Sequence, residues 1–222
     1  MNRITQGTFA WLTVLLTSQA LASEPAPTDP APDQPTAVHL RSVTYNGIGC
    51  PPGNADFQAT YDPMGHGLKM TMTQIVAEWG AGISLAQSRR NCTLSIDLGG
   101  TEGWQYALSR FKTSGFVDLD PGVNSEIKLY SFFDGSPSQS VSRVYKGPIR
   151  TEFEAQDVWP LTTLQWSNCE TPRKLNVNFA IKVFPDRPAP KPNMNAVGSM
   201  LIGSEWSSAG LDLGLVWRRC PS

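Results

Sequence analysis

Alternation of apolar and polar positions is the dominant signal along this chain. From Cys92 to Leu98, the apolar Cys92, Leu94, Ile96 and Leu98 alternate with Thr93, Ser95 and Asp97. Leu175 to Phe184 repeats the pattern with Leu175, Val177, Phe179, Ile181 and Val183, and Leu211 to Trp217 with Leu211, Leu213, Leu215 and Trp217. In the stretch Leu68 to Trp79, Leu68, Met70 and Met72 stand against Lys69, Thr71 and Thr73. Successive side chains of a strand point to opposite faces, so a period of two marks a strand with one buried face. Further strands are predicted over residues 40–45, 105–112, 115–119, 127–133, 140–146 and 163–167. Turn-forming sequences fall between them: Pro51-Pro52-Gly53, Gly99-Gly100, Asp120-Pro121-Gly122, Asp134-Gly135 and Lys146-Gly147-Pro148. Short strands punctuated in this way predict an all-β, antiparallel β-sandwich of jelly-roll-like form. One short helix is expected at Ser84 to Asn91, where Ser84 would cap the start and Arg89-Arg90 suit the end.

The pattern changes at the N-terminus. Arg3 precedes an apolar run from Phe9 to Leu16, and Ala20-Leu21-Ala22 offers small residues where a signal peptidase reads, so residues 1–22 are predicted to be an export signal. The run is too short for a bilayer span, which needs about 20 apolar residues, and no later segment approaches that length. Residues 23–37 are rich in proline and have no apolar face, which predicts a disordered tether. Residues 38–222 remain as a single domain of a size that one core can serve. The Pro-rich Pro185 to Pro192 reads as a protruding loop of that domain.

Charge narrows the partners. The chain carries 18 basic and 19 acidic residues; without Arg3 and the tether's Glu24, Asp29 and Asp33 the domain lies near +1. That balance supplies no long-range positive field, and nucleic acid is not an expected partner.

Four cysteines, Cys50, Cys92, Cys169 and Cys220, behind an export signal point to two disulfides. Three pairings are open, and spacing does not choose among them. Cys50–Cys92 with Cys169–Cys220 is the preferred one, since each would close a loop within one half of the chain. No Cys-x-x-Cys or close Cys/His spacing suggests zinc.

Candidate chemistry is sparse. His39 and His66 read as loop residues, and no Gly-x-Ser-x-Gly elbow accompanies them. Asp118, Asp120, Asn124 and Glu126 form a candidate calcium loop by ligand type, yet they miss the EF-hand order and its glycine. Alternation explains the first two as the outward side of a strand. Glu78, Asp97, Asp118, Glu152, Glu154 and Asp157 qualify as glycosidase acids by type alone. No catalytic residue, metal site or cofactor is assigned. Asn91-Cys92-Thr93 fits the N-glycosylation pattern. Of seven tryptophans, Trp166 and Trp217 each precede a cysteine by three residues and are expected to pack against a disulfide. Trp79, Trp104, Trp159 and Trp206 fall near predicted strand ends. There an exposed indole would stack on a sugar ring or fill a partner's pocket.

Several blocks together resemble the domain of unknown function 4360 family, small secreted proteins of bacteria and fungi. They are Tyr45-Asn46-Gly47-Ile48-Gly49-Cys50-Pro51, Ile83 to Cys92, Gly103-Trp104-Gln105-Tyr106, Gly115 to Asp120, Gly147-Pro148, Trp166-Ser167-Asn168-Cys169 and Trp217-Arg218-Arg219-Cys220. The resemblance implies export, four paired cysteines and a β-rich domain, and it carries no activity, ligand or catalytic residue. The long tether, the Pro185–Pro192 loop and the stretch from Leu201 to Trp206 depart from the family pattern. The favoured function is a non-catalytic extracellular or cell-surface module that binds a glycan or a protein. The alternatives are a secreted carboxylate-based glycan hydrolase and a structural coat or matrix protein.

Overall fold

In the computed structural model, the described residues are 34–53, 57–64, 66–72, 74–171, 173–186, 195–203 and 210–221. The export signal (1–22), most of the tether (23–37), most of the Pro185–Pro192 loop and Trp206 lie outside them.

Twelve strands run in chain order: β1 (His39–Asn46), β2 (Gln58–Asp62), β3 (Gly67–Thr71), β4 (Ile75–Trp79), β5 (Arg89–Gly99), β6 (Trp104–Leu119), β7 (Val123–Phe133), β8 (Gln139–Lys146), β9 (Ile149–Val158), β10 (Leu175–Pro185), β11 (Gly198–Ile202) and β12 (Gly210–Arg219). They form two antiparallel sheets packed as a sandwich. One has the order β1-β5-β10-β7-β8. The other is organised around the sixteen-residue β6. Its first part pairs with β12 and its last five residues with β11, while β9 lies along the opposite edge. β3 and β2 extend the sheet beyond β12, and β4 extends it beyond β11.

The alternating residues supply the core. Cys92, Leu94, Ile96 and Leu98 of β5 are buried, as are Val177, Phe179 and Ile181 of β10 and Leu211, Leu213 and Leu215 of β12. Phe111 of β6 meets Phe179 of β10 across the sandwich with ring centroids 6.2 Å apart, and the Tyr106 ring meets Phe133 edge-on at 5.2 Å. Asp120-Pro121-Gly122 carries the chain from one sheet to the other. Val123 N donates to Asp120 O (3.1 Å), and Gly122 takes the positive φ (+82°) that the third position of such a turn demands.

Local expectations fail where tertiary pairing outweighs them. Ser84 to Asn91 is not a helix. Ser84 and Gln87 do form a reciprocal capping box: Gln87 N donates to Ser84 Oγ (3.3 Å) and Ser84 N to Gln87 Oε1 (2.9 Å). The turn stops there because Arg89, Arg90 and Asn91 pair with Lys182, Ile181 and Ala180 of β10. Among the described residues the helical element is a 3-10 turn at Leu161–Thr163. Residues 163–167 are therefore not a strand. The predicted strands 105–112 and 115–119 are one, since Gly115 lies in register with Ile202 of β11 and Phe153 of β9. Leu68 to Trp79 is instead two strands, β3 and β4, with different neighbours. β2, β9 and β11 carry no alternation strong enough to predict them.

Candidate functional site

Two cysteine bridges brace the sandwich at two places. Cys50 is joined to Cys92, and Cys169 to Cys220. At each, two of the sequence blocks named above come together.

Beside Cys169–Cys220 the arginines are occupied. The Arg218 guanidinium lies 4.1 Å over the Trp166 ring, and that of Arg219 lies 4.5 Å over Trp104. Arg218 Nε also donates to Gln105 Oε1 (2.8 Å), Gln105 Nε2 to Ser167 O (2.5 Å) and Tyr106 N to Ser167 Oγ (2.9 Å). An open cavity of about 450 Å³ borders this network, along Trp166, Asn168, Glu170 and Arg173. Its polar groups are largely engaged with one another, as in a structural brace.

Beside Cys50–Cys92 the arrangement differs. The outer face of the five-stranded sheet carries rows of side chains set by register. One row runs Asn46, Thr93, Asn178, Tyr130 and Ser140 across all five strands. The next runs Asn91, Ala180, Lys128 and Ser142, and the one after it Arg89, Lys182, Glu126 and Val144. Ala180 is the small residue at the middle of this patch. The rows on either side lie about 13 Å apart, four residues at a rise of ~3.3 Å. Between them is a groove of about 320 Å³.

The groove's mouth is built by the loop after β1. Gly49 N donates to Asn91 O (2.8 Å) and Cys50 N to Gly47 O (3.2 Å), which lays the loop over the start of β5. Ile48 is thereby held up as an apolar wall, 56% exposed, over Arg90 and Asn91. Asn178 Nδ2 donates to Thr93 Oγ1 (2.6 Å), and Lys128 Nζ lies 4.6 Å over the Tyr130 ring. Hydrogen bonding to Tyr130 first, then the charges nearby, raise the Lys128 ammonium above its ordinary pKa. Glu126 is ion-paired with Lys182. Arg90 Nε donates to Val76 O (3.0 Å), so its side chain spans from β5 to β4. A second cavity of about 360 Å³ shares Ile48 and Arg90 with the first and continues toward Pro51, Gln74 and Val76. The two form an elongated depression suited to an extended ligand.

Of the tryptophans singled out by sequence, the three described ones, Trp79, Trp104 and Trp159, do not converge. Trp79 lies level with Leu119 of β6, across Gly198, whereas Trp104 opens the same strand. Fifteen residues of strand, roughly 50 Å, separate those levels. Trp79 and Trp159 pack against the core, and the Trp79 indole N–H is buried. Trp104 lies beneath Arg219, and Trp217 packs on the core beside Tyr106.

The calcium candidates are likewise dispersed. Asp118 pairs with Arg150 (3.6 Å) on the outer face of the larger sheet, and Glu126 with Lys182 on the outer face of the other. Asp120 Oδ2 accepts from Val197 N (2.9 Å), and Asn124 Nδ2 donates to Asp186 Oδ1 (2.5 Å). Among the described residues no three His, Cys, Asp or Glu gather as a metal site. Of the candidate glycosidase acids, Asp97 faces Arg41, Glu154 Lys112 and Asp157 Arg143. Asp97 is on the five-stranded sheet, the rest on the other.

Nothing in hydrophobic pattern or motif spacing marks Ala180, Lys128 or Tyr130. The available signal was the pair of blocks around Cys50 and Cys92, which the disulfide brings to the groove's edge.

The chain belongs to the family described as Domain of unknown function (DUF4360), whose profile matches residues 36–220. An uncharacterized secreted protein of the fungus Arthroderma benhamiae is 30% identical over 189 residues, which is 85% of this chain and 74% of that relative. The relative and the two disulfides agree on a secreted protein. No helix among the described residues is long and apolar enough to cross a membrane. Among solved structures, the chain is similar to TmCBM61 in complex with beta-1,4-galactotriose. There the identity is 8% and the TM-score 0.24, over 82% of this chain and 90% of the other. It is also similar to the enzymatically active domain of tailspike protein 4 from Bacteriophage CBA120, at 10% identity and TM-score 0.27. That match covers 79% of this chain and 19% of the other. Likenesses at this level carry no binding residue across.

Proposed function

We propose that this chain is a non-catalytic extracellular binding module whose ligand is an extended glycan, held in the groove over Ala180. The observation that supports this reading is the groove itself. A small residue, Ala180, is set between Lys128 and Asn91 with Tyr130 in the adjoining row, and the groove's mouth is fixed by a disulfide-pinned loop. Rows of Asn, Thr and Ser offer the donors and acceptors that sugar hydroxyls need. Tyr130 supplies an aromatic surface with a polar edge. A platform carried on strands holds such groups in place without ordering cost when ligand arrives.

The carboxylates support binding over hydrolysis. A glycosidase needs two of them about 5–9.5 Å apart across the scissile bond. Here Asp97, Asp118, Glu154 and Asp157 are each engaged with a base, on open sheet faces.

The test is a glycan array run with the oxidised protein and with Ala180→Trp, which fills the groove from its floor. Array signals carried by the native chain and lost in Ala180→Trp, with circular dichroism unchanged, are the expected result. Signals of equal strength in both proteins would place the ligand elsewhere, and a dark array with correctly bridged protein would remove the glycan reading.

A further inference from the structure

We infer that the glycan taken by this groove is anionic, a sugar polymer carrying carboxylate or sulfate groups. The inference rests on the glycan-binding reading above and adds the chemical class of the ligand.

Charge is the argument. The domain as a whole is near neutral, and across the sheets bases generally meet acids. Lys69 pairs with Asp62, Arg110 with Asp212, Lys112 with Glu154, Arg143 with Asp157 and Arg150 with Asp118. The groove breaks that pattern. Arg89, Arg90, Lys128 and Lys182 line it against one carboxylate, Glu126, which Lys182 engages. Arg89 and Arg90 are thus left without an ion pair to a carboxylate among the described residues, and Lys128 shares the field of the one Glu126 with Lys182. The chain's other arginine pair before a cysteine, Arg218-Arg219, is stacked on Trp166 and Trp104. Arg89-Arg90 has no such cover among the described residues, so like charges are held together at a concave place where four cations face one carboxylate. Local clustering of this kind inside a depression raises the potential far more than net charge suggests.

The placement of the three heads also fits a polymer. Arg89 and Lys128 lie on strands flanking β10, about 10 Å apart across the sheet, with Ala180 between them and one row away from Arg89. Arg90, held by Val76 O, faces the continuation of the groove past Ile48. A chain laid along the depression would bring successive acidic sugars past Lys128, Arg89 and Arg90 in turn. Arginine forks donate paired hydrogen bonds to carboxylate or sulfate oxygens, and the Lys128 ammonium offers a point charge beside an aromatic ring.

The test uses full-length oxidised protein and four immobilised probes: polygalacturonate (carboxylate), dextran sulfate (sulfate), neutral dextran and a single-stranded oligonucleotide. Binding is measured at about 0.02 M and about 0.3 M salt, which span weak to strong screening. Three variants accompany the native chain: Ala180→Trp, Lys128→Gln and the double exchange Arg89→Ser with Lys128→Gln. All three changed residues point outward from the sheet, and denaturation midpoints verify folding. The expected result is binding to one or both anionic polysaccharides and little to dextran, weakened about tenfold or more by the higher salt. The double exchange should lower it by a similar factor and Ala180→Trp abolish it. Preference between the first two probes tells carboxylate from sulfate. Binding to dextran that Ala180→Trp abolishes and salt leaves unchanged overturns the anionic class while leaving the glycan reading intact. Polyanion binding that ignores Ala180→Trp, or an oligonucleotide bound as tightly as the sugars, overturns it as well. No binding to any polysaccharide removes both readings.

Discussion

A Cβ on Gly47 would lie 2.2 Å from the carbonyl oxygen of Asn91. The loop after β1 can therefore rest on the start of β5 only because residue 47 has no side chain, and its φ of +151° suits glycine as well. The same contact sets the height of Ile48 above the groove. Gly47→Ala is expected to lift the loop and destabilise the fold by about 1–3 kcal/mol, with a fall in glycan affinity on top. Urea denaturation beside a ligand titration reads both. A normal midpoint and unchanged affinity would mean that the loop tolerates the shift.

The two disulfides divide along the same line. With sequence separations of 42 and 51 between partners, the chain-entropy account assigns each about 4 kcal/mol. Replacing Cys50 and Cys92 by alanine should cost stability and binding together, since it frees the loop that walls the groove. Replacing Cys169 and Cys220 should cost comparable stability and leave affinity intact in the fraction that stays folded. Differential scanning calorimetry with a binding assay on each variant separates the cases. Equal loss of affinity in both would argue against a site confined to the Cys50–Cys92 side.

These relations explain what the sequence discloses and what it hides. In β5, β10 and β12 the apolar positions fall on one face and are buried, so period two is legible. β9 hides because it lies along one edge of β6 with only Ala155 fully buried, and its charged outer residues mask the pleat. Ser84 to Asn91 misleads for a different reason. Its capping box is real, but residues 89–91 gain more from the β10 ladder than from another helical turn. The groove is the least legible feature, because Ala180, Lys128 and Asn91 are unremarkable in their own strands and become neighbours only through register. Tryptophan drew notice by residue type, which says nothing about the two ends of a long strand.

Alkaline stability is expected to depend on Tyr106. Burial, and secondarily the charge of Asp97, raise its phenol well above the ordinary 10.0. The unfolded chain releases this proton near pH 10 while the native state keeps it. Above that pH the unfolded state binds fewer protons, and stability falls by up to about 1.4 kcal/mol per pH unit. Tyr106→Phe removes the hydrogen bond to Arg173 O (3.3 Å), at a cost of about 1 kcal/mol at neutral pH. It should also flatten the alkaline slope. Tyr61 and Tyr145, raised chiefly by burial too, leave a residual slope. Urea midpoints measured from neutral pH to beyond pH 11 test this, and an identical slope in both proteins would assign the alkaline loss to other groups.

The last expectation sets the tryptophans against the groove. Trp159 packs on the core and Trp104 lies under Arg219, so Trp159→Leu and Trp104→Leu should cost about 1–3 kcal/mol of stability through lost packing and cation–π contact. Neither touches the groove, and affinity for a glycan should stay within about twofold of the native value, inside the additive behaviour of distant sites. Tyr130→Ala should do the reverse. Its ring stands on the outer face, half-buried beside Lys128, so its loss exposes little core yet removes the aromatic surface of the site. Isothermal titration of the three variants, with denaturation midpoints for each, gives the crossed pattern that separates a binding residue from a packing one. If instead Trp104→Leu weakens binding and Tyr130→Ala does not, the ligand sits at the strand ends beside Cys169–Cys220. The cations around Ala180 would then need another explanation.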